Sequence, residues 1–219
     1  VAEAPPIGAT LEQTDPDVRT MLQVSQDVPG AFEVLVERYQ HRLLGVLLHL
    51  IGKLDEAEDL TQDVFLRIYK ARKGYKPTAR FSTWLFTIAN NVALNHLRAK
   101  GRNPSATPER PPQADSQFMR PVEERIPSRE GTASAQMRKV ELSEVVKEAL
   151  EVLGEDQRMA VLLNKFEDMS YADIAIVMGR SEPAVKSLLA RARMNLREQL
   201  EPYLRTGQRK PGHDAAGAP

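Results

Sequence analysis

SYADIAIVMGRSEPAVKSLLARAR, Ser170 to Arg193, holds two short helical patterns separated by a single tight turn. Ser170 is placed to cap the first, with Asp173 at the reciprocal position of a capping box. Tyr171, Ile174, Ala175 and Val177 have the spacing of packing residues. Gly179 supplies the left-handed residue that ends such a helix, and Ser181 caps the next one at once. Pro183 falls in that helix's first turn, where no intrahelical N–H is needed. Val185, Leu188, Leu189, Ala192 and Leu196 point to a core. Lys186, Arg193 and Arg197 lie on the other side, flanked by Ser187, Ala190, Arg191 and Met194. From Gly179 to Arg197 there are five bases and one acid. A short helix, a turn and a capped basic helix make the helix-turn-helix geometry that enters a major groove. Its long basic side chains would meet phosphates, and residues near the helix start would reach base edges. Small residues such as Ala184 and Ala190 would permit close approach. A solvated helix in an ordinary bundle is the competing reading of the same face.

Working outward, Val140, Val145, Val146, Ala149, Leu150 and Leu153 predict one preceding helix, and Asp156 to Phe166 another. A second helical block thus begins near Gln136 and runs to about Leu200. Upstream of it, Asn103 to Ser134 contains six Pro and little periodicity, which predicts an extended, mobile linker. Before the linker the helical period returns. Phe32, Leu35, Val36, Tyr39, Leu43, Val46, Leu47 and Leu50 form a buried stripe, with Pro29 at an early helical position and Gly52 as its stop. A helix is expected from Asp55, with Glu58 completing a variant capping box. Arg72 to Arg80 reads as a loop, followed by a helix in which Phe81, Leu85, Ile88, Ala89 and Val92 are spaced for burial. Residues 1–26, with three Pro, several acids and no sustained period, are expected to be disordered, as is the Gly-, Pro- and Ala-rich tail 205–219. No segment reads as a convincing strand. The fold class is all-α: two small helical domains, 27–102 and 135–204, on a flexible joint.

Charge is segregated within the first block. Lys53 to Asp63 carries five acids and one base, whereas Val64 to Arg102 carries nine bases and no acid, with six of the twelve aromatics. Glu56, Asp59 and Asp63 share a helical face beside Gln62. That face is either a solvated, dipole-favoured helix start or a docking surface for a basic groove. The acid-free stretch suits an anionic partner with bases to stack on, or else two amphipathic helices with solvated cations and core aromatics. Trp84, Asn90, Asn91, Asn95, His96 and Arg98 are its polar or stackable groups.

The totals exclude several classes. The chain of 219 residues has no Cys, four His and zero formal net charge, so disulfides and thiolate metal sites are out and no global field steers association. No nucleophile arrangement, metal cluster or phosphate-cradling glycine loop is evident, so no enzymatic activity, metal or cofactor is expected. Neither terminus has a signal-peptide pattern, and the longest apolar run, Leu43–Ile51, is too short to span a bilayer. A cytoplasmic protein without membrane insertion is the expectation.

These segments resemble the two conserved domains of the extracytoplasmic-function (ECF) group of bacterial sigma factors, in the sigma-70 family. The matching runs are DEAEDLTQDVFLRIYKA (Asp55 to Ala71) and FSTWLFTIANNVALNHLR (Phe81 to Arg98) in the first block. In the second they are LGEDQRMAVLL (Leu153 to Leu163) and Ser170 to Arg193. The likeness covers about two thirds of the chain, roughly residues 29–102 and 136–200, in the family's order. It implies a promoter-recognition subunit of bacterial RNA polymerase, with domain 27–102 corresponding to sigma region 2 and domain 135–204 to region 4. Asp59, Gln62 and Asp63 would dock on the clamp helices of the large polymerase subunit. Tyr75, Lys76 and Arg80 would belong to the loop that captures a flipped base of the −10 element. Trp84, Asn91, Asn95, His96 and Arg98 would support strand opening and contact that element. Arg180, Ser181, Ala184, Lys186, Ser187, Arg191 and Arg193 would serve the −35 element. The implied partners are core polymerase, through its clamp helices and flap, promoter DNA and an anti-sigma factor.

The chain departs from the family pattern in places. Asn95 stands where the family usually has Asp, and Leu153–Gly154 where it has Leu–Pro. Ala184, Val185, Lys186, Ser187 and Leu188 replace a common Thr-Val-Lys-Ser-Arg, removing two possible DNA contacts. These changes bear on which promoter is read. The alternatives from the residues themselves are a helix-turn-helix regulator that acts without polymerase, and a helical protein-binding adaptor.

Overall fold

The computed structural model describes residues 7–102 and 133–206. Among the described residues every regular element is helical. They are α1 (Ile7–Thr14), α2 (Pro16–Ser25), α3 (Ala31–Ile51), α4 (Leu54–Ala71), a 3-10 turn at Arg72–Gly74 and α5 (Phe81–Arg102). After the linker come α6 (Ala133–Glu151), α7 (Glu155–Lys165), α8 (Tyr171–Met178) and α9 (Glu182–Thr206). The predicted linker 103–134 lies outside the described residues except for the first two residues of α6. Of the tail 205–219, only the last residues of α9 are described.

The N-terminal expectation is corrected. Residues 7–14 and 16–25 are helical, and α2 lies against α3 and α5. Asp15 is the N-cap of α2 and its side chain accepts from the Asp17 N–H, with Pro16 in the first turn; both are strong start signals. Val18, Met21 and Val24 are fully buried. The sparse apolar residues of this segment suffice because α3 completes the core around them. Asp17 is buried with them, and its carboxylate accepts from the Tyr39 hydroxyl at 2.6 Å and pairs with Arg38. A carboxylate at that depth is tolerated only when so partnered.

Two further start positions shift. Gly30, left-handed at φ 80°, is the N-cap of α3, so Pro29 precedes the helix rather than opening it. Lys53 is the N-cap of α4, without a side-chain cap. The Asp55–Glu58 capping box does not form, and Asp55 and Glu56 occupy the first turn, where their charge still favours the helix dipole. Gly52 does end α3, at φ 84° with its N–H on the Leu48 carbonyl.

In the first domain, the buried stripe of α3 meets Ala57, Val64, Phe65 and Ile68 of α4 and Phe81, Leu85, Phe86, Ala89 and Val92 of α5. The second domain closes around Leu150, Leu153, Leu162, Leu163, Ile174, Val185 and Leu189. The two cores are joined: α8 packs along α5 and α7 meets α3. Thr83 donates to Asp173 at 3.0 Å, Asn90 donates to the Val177 carbonyl at 3.3 Å, and Arg42 pairs with Glu167 at 2.5 Å. Burial pushes the Glu167 carboxyl up, against the opposing pull of Arg42. Arg158 of α7 donates to the Leu150, Glu151 and Leu153 carbonyls and to those of His49 and Leu50. One guanidinium therefore satisfies the open ends of α6 and α3 together.

Candidate nucleic-acid interface

The helix-turn-helix forms as its residues dictate. Ser170 accepts from the Asp173 N–H at 3.1 Å and donates to the Asp173 carboxylate at 2.5 Å. Gly179 is left-handed at φ 58°, and the Arg180 N–H reaches back to the Ala175 carbonyl at 3.0 Å, the six-residue closure of a Schellman turn. The Ser181 hydroxyl accepts from the Ala184 N–H at 3.4 Å. Val185, Leu189 and Ala192 are buried. Ser181, Lys186, Ser187, Ala190, Arg191, Met194 and Arg197 are exposed, and Ala184 is half-buried.

Two of the predicted −35 residues have work inside the protein. Arg180 pairs with Asp156 of α7 at 2.5 Å, and Arg193 donates to the Tyr171 hydroxyl at 2.9 Å. Both stay exposed, so Arg180 ties the turn to α7 and Arg193 ties α9 to the start of α8 while both remain at the surface. Lys186 and Arg191 have no such anchor among the described residues and extend freely from the helix.

On α5, Asn91, Asn95 and Arg98 are exposed at steps of four and three, which places them on one face. Thr83 and Asn90 sit on the face turned to α8. His96 departs from the expected DNA-facing set. Its Nε2 lies 2.8 Å from Glu56, which also takes Lys100 at 3.1 Å and Lys53 at 3.5 Å. Burial would raise the Glu56 carboxyl, but the hydrogen bonds from His96 and Lys100 outweigh it and hold it below the usual range. Glu56 is therefore ionised and accepts only, so the His96 Nε2 carries the proton. This cluster fastens the start of α4 to α5, and it removes Glu56 from the acidic face. Asp59 and Gln62 remain exposed there, while Asp63 pairs with Arg67 at 3.0 Å.

Between the two helices, the loop after the 3-10 turn is tightly kinked at Pro77, where the Thr78 N–H meets the Lys76 carbonyl at 2.9 Å. Lys76, Thr78 and Arg80 are exposed. Tyr75 is not. Its ring packs on Trp84 at 4.8 Å, and Phe81 in turn lies 6.1 Å from Trp84 and 5.2 Å from Tyr39. Burial pushes the Tyr75 hydroxyl up, and that hydroxyl has no hydrogen-bond partner among the described residues. Most aromatics of the basic stretch thus build its shape, while Trp84 is half-buried and Tyr69 exposed.

The interdomain groups Arg42, Thr83, Asn90, Arg158, Glu167 and Asp173 were not foreseeable as a set, because their partners lie about ninety residues or more away. Asp15 is different: Asp-Pro before spaced apolar residues was a readable helix start.

Sequence comparison agrees with this architecture. The family model described as Sigma-70 region 2 matches residues 35–103, and that described as Sigma-70, region 4 matches residues 143–196. The RNA polymerase sigma-H factor of Pseudomonas aeruginosa is 34% identical over 189 residues, covering 86% of this chain and 96% of its own. The ECF RNA polymerase sigma-E factor of Escherichia coli is 31% identical over 175 residues, covering 80% and 89%. A solved structure of the sigma factor RpoE with the anti-sigma factor NepR from Bartonella quintana is 26% identical, with TM-score 0.61 over 78% of this chain and 98% of that one. CnrH, solved with the cytosolic domain of CnrY, shares the fold at 22% identity and TM-score 0.60, over 86% of this chain and 99% of that one. Two helical domains, the second a helix-turn-helix, joined in this order define an RNA polymerase sigma factor, and the chain belongs to the sigma-70 family. Within that family it is of the extracytoplasmic-function type.

Proposed function

We propose that the two domains divide promoter recognition as their exposed residues suggest. The exposed face of α9, with Ser181, Ala184, Lys186, Ser187 and Arg191, reads the −35 element as duplex, with Arg180 bracing it from the turn and Arg193 from its bond to Tyr171. The Asn91, Asn95 and Arg98 face of α5 and the loop bearing Lys76 and Arg80 serve the −10 element and strand opening. Asp59 and Gln62, with Asp63, dock on the clamp helices of core polymerase. The observation that carries this reading is the contrast within the basic stretch. Its aromatics are mostly buried, whereas Lys76, Arg80 and Arg98 are exposed with no ion pair among the described residues.

Catalysis of RNA synthesis belongs to the core enzyme, and the protein acts beside it in the cytoplasm as an initiation factor. Among the described residues no helix is long and apolar enough to cross a membrane. The two elements lie about 25 base pairs apart, or about 85 Å at the rise of B-DNA. Helices in contact are separated by about 10 Å, so α5 and α8 must part before both elements are engaged. The joined domains are then the resting form. An anti-sigma factor, the partner class in the solved RpoE relative, is a candidate to hold them so.

Copurification with core polymerase, followed by run-off transcription, tests the assignment. The expected result is a stable complex that initiates from selected promoters, with Asp59→Lys weakening the complex while the chain stays folded. Stable duplex binding by the chain alone, with no affinity for core, would instead support a conventional regulator.

A further inference from the structure

The loop between α4 and α5 is held at both ends by the N-terminal segment, which lies ahead of the matched region 35–103. At the far end, Arg80 precedes α5, and its carbonyl accepts the first helical bond from the Trp84 N–H at 3.1 Å. Arginine has no side-chain acceptor to offer the open N–H groups of a helix start. Asp15, 66 positions away, supplies it: its Oδ2 accepts from the Phe81 N–H at 3.0 Å, while its other oxygen caps α2 at 2.9 Å. At the near end, Asp27 takes both cations of the 3-10 turn. Arg72 Nε donates to Oδ1 at 2.9 Å, Lys73 pairs with Oδ2, and Lys73 also donates to the Ser25 carbonyl at 3.0 Å. Asp27 sits in the left-handed region at φ 58°, which Asp tolerates better than most residues.

We propose that Asp15 and Asp27 are positioning residues for promoter opening, two carboxylates that fix the ends of the Arg72-to-Phe81 loop. The inference rests on the reading of that loop as the element that captures an unstacked −10 base. Exposed pairs such as those of Asp27 add little to global stability, so their effect is local. They bias a short loop toward one conformation, and a small bias suffices for that. The clamp also sorts the cations. Arg72 and Lys73, at the loop's near end, are neutralised by Asp27, whereas Lys76 and Arg80, farther along it, are left for the nucleic acid.

The test uses the full chain with bacterial core polymerase on duplex templates randomised across the upstream region. Sequencing the transcripts reports base preference at the −35 and −10 elements in one experiment. Asp15→Ala and Asp27→Asn should blunt the −10 preference and leave the −35 preference as in the unaltered protein. If the competent loop falls to about a tenth of molecules, effective affinity at the captured base falls about tenfold. Asp15→Asn, which has one acceptor oxygen for the two N–H groups that Asp15 serves, should blunt the −10 preference less than Asp15→Ala. Unchanged −10 preference in both Asp15→Ala and Asp27→Asn overturns the inference, as does equal loss at both elements. Should Asp15→Ala fail to fold, the exposed Asp27→Asn decides alone. Lys76→Ala with Thr78→Ala separates the two claims. If that pair blunts the −10 preference while the aspartate variants do not, only the positioning role fails. If that pair leaves it sharp, the base-capture reading fails and the inference falls with it.

Discussion

Acidification should loosen the joint between the domains through a single imidazole. His49, near the end of α3, lies with its ring 5.8 Å from Phe166, edge to face, in a recess lined by Lys147, Leu150, Glu151 and Arg158. Burial, then the charges of Lys147 and Arg158, lower its pKa from 6.5 to about 4. A depressed folded value means that the native state holds His49 neutral. Its contribution is therefore complete above pH 6.5 and is lost as the pH falls toward 4. At 1.36 kcal/mol per pH unit, a fall from 6.5 to about 4 sets a ceiling of about 3.4 kcal/mol. Between pH 8 and 5.5 the same relation predicts a loss of about 1.4 kcal/mol. Glu167, whose carboxyl is raised by burial, has the opposite sign, since its contribution declines as the pH rises. Urea denaturation at the two pH values, for the unaltered chain and for His49→Gln, isolates the histidine. The unaltered chain should lose about 1.4 kcal/mol more than the variant over that interval. Equal losses in the two proteins, or a His49 ring titrating near 6.5 by NMR, would refute the reasoning.

Three other outcomes are expected. Asp17→Ala leaves the buried Tyr39 hydroxyl without a partner, while Arg38, at 44% side-chain exposure, regains water. Thermal melting should show a loss of about 2 kcal/mol, with Asp17→Asn partly restoring it. Tyr75→Phe removes a buried hydroxyl that has no partner among the described residues, so its melting temperature should be unchanged or higher, whereas Tyr75→Ala forfeits packing on Trp84 at a cost of about 3 kcal/mol. For the polymerase complex on promoter duplex, Lys186→Ala and Arg191→Ala should each reduce the salt dependence of binding by about one counterion. Arg193→Ala should reduce it less, because that side chain is already bonded to Tyr171.

Much of the molecule was legible because its signals act over a few residues. Ser170, Gly179 and Ser181 each satisfy or end a neighbouring turn, and the structure places all three as their spacing predicts. The α2 segment shows how a local signal is lost. Asp15 and Pro16 announce a helix, but the surrounding acids and prolines resemble a solvated tail, and only contact with α3 and α5 makes Val18 and Met21 core residues. The acidic face of α4 divides for a similar reason. Periodicity puts Glu56 with Asp59, yet His96 and Lys100 claim Glu56 once α5 lies beside it.

What the sequence by itself determined is the all-helical class, the order of the two domains and the helix-turn-helix, since helical period, caps and turn residues are properties of short stretches. Which polar groups serve the fold and which remain for a partner was decided only in three dimensions. Phe81 finds its cap 66 positions away in Asp15, and Thr83 meets Asp173 across 90. No periodicity encodes such pairings, because they arise when packed helices bring distant buried donors to the acceptors that must satisfy them.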